Sequence, residues 1–125
     1  MGTDVIGPYL ADGHWVLRSW GKANADTLVK YLQAYIEGVR FALDPANKAA
    51  ATEVLARRLE LAPDIAAAVY DVVTDKQEGV AKDGRFDLEG FKNVLRLRAE
   101  YEGGTPAAPE KYLDLSYYQE ALKGM

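Results

Sequence analysis

Asn24-Ala25-Asp26-Thr27-Leu28-Val29-Lys30-Tyr31-Leu32-Gln33-Ala34-Tyr35-Ile36-Glu37-Gly38-Val39-Arg40-Phe41-Ala42-Leu43-Asp44-Pro45 is the stretch that decides the fold class. Leu28, Leu32, Tyr35, Ile36, Val39 and Leu43 follow one another at steps of 4, 3, 1, 3 and 4. That spacing is one apolar stripe on a long helix, not the strict alternation of a strand. Asn24 suits the N-cap, where a short side-chain oxygen can accept from the first free backbone N–H groups. Gly38 within the helix costs about 1 kcal/mol relative to alanine. Pro45 disfavours the helical region for Asp44, so Asp44 ends this helix and caps the next, with Pro45 in its first position.

Downstream the helical period continues. A second helix carries Ala46, Ala50, Val54, Leu55 and Leu59, with Arg57, Arg58 and Glu60 in solvent. Pro63 opens a third at Asp64, striped by Ile65, Val69, Val72 and Val73. Asp75 to Arg85 is a polar loop rich in turn formers. Asp87 caps a fourth helix bearing Leu88, Phe91, Val94, Leu95 and Tyr101. Gly103, Gly104, Pro106 and Pro109 form a spacer, and Ser116 with Gln119 fits a capping box that starts a short last helix. The connections are short, which predicts antiparallel neighbouring helices.

Upstream the pattern differs. Gly2, Gly7, Pro8, Gly13 and Gly21 punctuate residues 1–23, and His14-Trp15-Val16-Leu17-Arg18-Ser19-Trp20 reads as one extended piece. Trp15, Leu17 and Ser19 would share one face of such a strand. No partner strand is evident, and an unpaired strand needs one for its backbone groups. The expectation is therefore a single, mostly α domain over residues 1–125. It has about five helices over 24–125, with one short strand and loop over 1–23.

Composition narrows the function classes. The 125 residues carry a net charge of −4, which argues against nucleic-acid binding because phosphate recognition needs a basic face. With no cysteine there is no disulfide, thiolate metal site or thiol nucleophile. The amino terminus lacks the basic and apolar regions of a signal peptide, and no apolar run reaches the roughly 20 residues of a bilayer span.

Chemistry-bearing motifs are few. Lys82-Asp83-Gly84-Arg85-Phe86-Asp87-Leu88-Glu89-Gly90 invites comparison with a calcium loop. Aligning Gly84 with that loop's glycine puts Gly79, Ala81 and Gly90 where carboxylates belong. A turn at Asp83-Gly84 leading to an N-cap at Asp87 fits better, and no metal or cofactor is expected. His14 is the only histidine and reads as a structural or surface residue. Glycine-rich phosphate loops, nucleophile elbows and zinc-helix motifs are absent from the sequence. Aromatic residues with a polar handle (Trp15, Trp20, Tyr31, Tyr35, Tyr70, Tyr101, Tyr112, Tyr117 and Tyr118) suit pockets or interfaces, though Tyr31 and Tyr35 at helical spacing fit packing roles.

The order of segments resembles a known family. Leu17-Arg18-Ser19-Trp20 followed by Ala23-Asn24-Ala25-Asp26-Thr27-Leu28 is similar to its step from strand into long helix. Asp44-Pro45-Ala46-Asn47-Lys48 resembles its helix junction, and Leu59-Glu60-Leu61-Ala62-Pro63-Asp64-Ile65-Ala66 its next one. Asp83-Gly84-Arg85-Phe86-Asp87, Asn93-Val94-Leu95-Arg96-Leu97-Arg98 and Pro109-Glu110-Lys111-Tyr112-Leu113-Asp114-Leu115-Ser116-Tyr117 are similar to its closing helices. From about Trp15 onward the chain resembles the carboxy-terminal part of ABC-transporter substrate-binding proteins of the nitrate/sulfonate/taurine and thiamine-pyrimidine-precursor kind.

That resemblance implies part of a type II periplasmic-binding-protein fold, α/β in its complete form. It implies a protein that binds a small anion or heterocycle and delivers it to an ABC permease, without turning it over. Trp15 and Arg18 become the candidate ligand-binding residues. The complete family works in the periplasm or at the cell surface, and its cleft residues come mostly from segments that would precede Met1. The alternative is a stand-alone helical module that associates with itself as a homodimer. A third reading, an enzyme making the thiamine pyrimidine, would require a cysteine-rich stretch that this sequence does not contain.

Overall fold

The computed structural model describes residues 2–76 and 79–125. Among them are seven α-helices and no strand: α1 (Gly2–Ile6), α2 (Arg18–Ala23), α3 (Ala25–Leu43), α4 (Lys48–Leu59), α5 (Pro63–Val73), α6 (Leu88–Glu102) and α7 (Ser116–Lys123). Short 3-10 turns lie at Pro45–Asn47, Lys82–Gly84 and Pro109–Lys111. The fold is mostly α, as the periodicity requires. None of the described helices is long and apolar enough to cross a membrane.

The strand expected over His14–Trp20 does not form. Leu17 is extended (φ −64°, ψ 137°), but α2 begins at Arg18, and the Gly21 N–H donates to the Leu17 carbonyl at 2.9 Å. A strand without a partner leaves its backbone groups to water, whereas one helical turn pairs them locally. Residues 12–17 remain irregular and exposed. The expected loop character holds over residues 7–17, while α1 and α2 place helix on either side of it.

Two compact units make up the chain, one of Met1–Val29 with Phe86–Gly124 and one of Lys30–Arg85 with Met125. In the first, the Asn93 amide donates to the carbonyls of Ile6 (2.6 Å) and Pro8 (2.7 Å), tying the amino-terminal segment to α6. Leu28, Leu95, Ala99 and Ala121 are buried, and Phe86 meets Phe91 edge to face at 5.4 Å. Asp87 caps α6, its Oδ1 accepting from the Gly90 N–H at 3.0 Å, as expected.

In the second unit α4 packs along α5, with Ile36, Val39, Ala51, Ala66 and Tyr70 buried. The Tyr70 hydroxyl donates to the Ala42 carbonyl at 2.9 Å, so its burial leaves no unpaired oxygen. Asp44 behaves as expected: its Oδ1 accepts from the Ala46 N–H at 2.9 Å while Pro45 opens the turn into α4. The Lys82–Gly84 turn is fastened twice. Arg40 Nε donates to Asp83 Oδ1 at 2.7 Å, and Gly84 (φ +61°) lies where any Cβ would overlap the Tyr35 ring.

Two expected caps differ. The Asn24 amide donates back to the Trp20 carbonyl at 2.9 Å, closing α2 instead of capping α3 with its side chain. Ser116 does not cap α7. Its hydroxyl and N–H both donate to Asp114 Oδ1, at 2.7 and 3.0 Å. A carboxylate is a stronger acceptor than a hydroxyl, and two residues upstream it closes an Asx turn. The expected α4 stripe is also displaced: Val54 and Leu59 are 43% and 56% exposed, while Ala51 is buried.

Candidate functional site

Arg18 opens α2 and points its guanidinium at the end of the Pro109–Lys111 turn, donating to the carbonyls of Lys111 (2.8 Å) and Glu110 (3.3 Å). Carbonyls at the end of a short turn lack partners of their own, and a planar fork of donors suits them. Asp114 lies three residues beyond Lys111. Its carboxyl is held below the ordinary aspartate range, first by the Ser116 hydroxyl, then by the Ser116 N–H, with Arg18 and Lys22 adding positive charge. Arg18 thus anchors the segment that leads into α7.

Along α6 and the spacer after it runs a groove of about 210 Å³, lined by Leu95, Arg98, Glu102, Lys111 and Tyr112 among others. Arg98 Nε donates to Glu102 at 3.0 Å. That bond and the carboxylate's charge raise the Arg98 pKa further, so it stays cationic throughout. The Lys111 ammonium sits 5.3 Å from the Tyr112 ring centroid, in cation–π range. Two cations and one aromatic face can hold a small anion or a planar heterocycle. The Arg98–Glu102 pair is exposed on both sides, so its contribution to stability is small.

The second unit has a recess of about 230 Å³ lined by Tyr35, Gly38, Val39, Ala42, Val73 and Val80, almost wholly carbon. It offers shape and apolar surface but no charge.

Of the two residues singled out for ligand binding, Trp15 is 90% exposed in the irregular segment. Arg18 is engaged by the backbone carbonyls of Glu110 and Lys111. Nothing brings the indole and the guanidinium onto a shared ligand position. Of the groove's residues, sequence reasoning passed over Arg98 and Lys111 and weighed Tyr112 only among the aromatics that suit pockets. Their proximity needs the chain reversal at Gly103 to Ala108, which sequence spacing does not encode. Among the described residues no cluster of three or more His, Asp or Glu side chains could hold a metal ion.

A scan against protein-family models and searches of curated proteins and of solved structures find no match for this chain.

Proposed function

We propose that this chain is a solute-binding component, or part of one, of an ABC importer for a small anion or heterocycle, working by capture and handover to a permease. In the complete family such proteins act in the periplasm or at the cell surface. What supports the reading is where the family-like segments fall. Asp44-Pro45-Ala46-Asn47-Lys48 forms the cap and turn into α4, Leu59 to Ala66 the α4–α5 junction, and Asp83 to Asp87 the turn and cap before α6. Each of these three segments is thus a junction whose chemistry sets a helix boundary. Trp15 offers an exposed ring for stacking, and the Arg98, Lys111 and Tyr112 groove offers charge.

A ligand bound only by the native state stabilises it, by about 2.7 kcal/mol at a hundredfold excess over Kd. The test is a thermal-shift titration with nitrate, taurine and other sulfonates, aminopyrimidines and aromatic carboxylates. A saturable rise is expected with one class, reduced in Trp15→Ala or Arg98→Gln. A flat response to every class at millimolar concentration overturns the proposal.

The second reading, a self-associating helical module, draws on exposed apolar side chains. Trp15, Leu17 and Tyr101 are 90%, 75% and 94% exposed, and a second copy of the chain would take such side chains out of water.

A further inference from the structure

The chain contains two Asp-Gly pairs, Asp12-Gly13 and Asp83-Gly84, held in opposite states. At the first, both residues are exposed between α1 and α2. The Gly13 N–H donates to Asp12 Oδ1 at 2.7 Å, and a Cβ on Gly13 would meet nothing within 4 Å. The backbone nitrogen therefore lies against the carboxyl group of the residue before it, with open space around both. At the second pair, Asp83 adopts φ 59° and its Oδ1 accepts from Arg40 Nε at 2.7 Å. The Gly84 N–H donates to the Ala81 carbonyl at 2.9 Å, with the Tyr35 ring against Gly84.

We infer that Asp12-Gly13 is a site of backbone isomerisation and that Asp83-Gly84 is protected from it. The Gly13 nitrogen attacks Cγ of the protonated Asp12 carboxyl. A C–N bond forms, and the amide proton and the carboxyl hydroxyl leave as water, closing a succinimide. Water then reopens the ring. Addition at the side-chain carbonyl restores aspartate. Addition at the α-carbonyl breaks its bond to the Gly13 nitrogen, so the chain continues through the former side chain as isoaspartate. Water lost in the first step returns in the second, and no redox partner is needed. Glycine permits the approach because it has no side chain and a freely rotating backbone. The same attack at Asp83 requires Gly84 to abandon Ala81 and the carboxyl to leave Arg40. Isoaspartate at position 12 lengthens the backbone by one carbon shortly before Trp15 and exposes a free α-carboxylate.

The experiment ages the native chain at mildly acidic pH, then digests it and maps the peptides by chromatography and mass spectrometry. The Asp12 peptide should split into forms of equal mass, one accepting a methyl group from an isoaspartyl carboxyl methyltransferase, while the Asp83 peptide stays single. Gly13→Ala should slow the conversion several-fold. Arg40→Met should release the Asp83 pair, and ageing in denaturant should convert both. Equal conversion of the two pairs in the native chain overturns the inference. So does an unchanged native Asp12 peptide when the denatured chain converts.

Discussion

Glu60 occupies the left-handed region (φ 53°, ψ 42°) at the end of α4, and the Leu61 N–H donates back to the Ala56 carbonyl at 2.9 Å. This is the αL closure that most helices assign to glycine, and a side chain there costs roughly 1–2 kcal/mol. Glu60→Gly should therefore raise stability by about 1 kcal/mol in denaturant melts, with no change in the slope against denaturant. Gly84→Ala is the mirror case. A methyl group at φ +61° would meet the Tyr35 ring, so a loss of at least about 1 kcal/mol is expected from the backbone alone. Asp114 gives the pH dependence. A depressed folded-state pKa contributes stability that is complete above the ordinary aspartate range and is lost as pH falls through the lowered value. Melting temperature followed downward from neutral pH should fall on this account, and Asp114→Asn should flatten part of that acid limb while lowering stability at neutral pH. An acid limb identical in the two proteins would remove Asp114 from the explanation.

At the scale of elements, α3 carries an unneeded cost. Gly38 has no atom within 4 Å of where a Cβ would stand, so neither packing nor backbone geometry requires glycine there. Gly38→Ala should stabilise the chain by up to about 1 kcal/mol. Asp44→Ala should do the reverse, by about 1 kcal/mol, because the Ala46 N–H loses its acceptor at the start of the turn into α4. Paired thermal melts of the two variants measure both. The α3 stripe was largely legible in the sequence, since large apolar residues repeated at helical steps bury Leu28, Ile36 and Val39. The α4, α5 and α6 stripes were less so, with Ile65 and Val72 of the expected α5 stripe exposed. Ala51, Ala66, Ala99 and Ala121 are buried, while Tyr101 and Leu59 are exposed. A rule that looks for large side chains misses the small ones that allow backbones to approach.

For the whole molecule the open question is what covers the apolar residues left in solvent. Ile36 is the largest side chain completely buried among the described residues, so the core is thin for a chain of this length. A symmetric pair of chains is the simplest closed arrangement that would cover Trp15, Leu17 and Tyr101. Light scattering at micromolar concentration should then give about twice the chain mass of 13.8 kDa. A mass near 13.8 kDa rejects the homodimer. The ligand titration is independent of that result, because a monomer can still capture a solute.

The sequence by itself determined the helical class and most of the punctuation, because those depend on interactions within a few residues. Period 3.6, Pro45 behind Asp44, Pro63 opening α5 and Asp87 before α6 act through local sterics and short hydrogen bonds. Only the tertiary structure decided what depends on distant partners. His14–Trp20 has strand-like composition, yet with no strand beside it Arg18 to Trp20 form the first turn of α2. Ser116 lies inside α7, after Leu115, with its hydroxyl and N–H donating to Asp114, and the Asn24 amide donates to the Trp20 carbonyl. The family resemblance made Arg18 a ligand-binding candidate, and in the structure its guanidinium donates to the carbonyls of Glu110 and Lys111, more than ninety positions away. A long, flexible cation takes the unpaired acceptors that folding brings within reach, and no local pattern encodes which those will be.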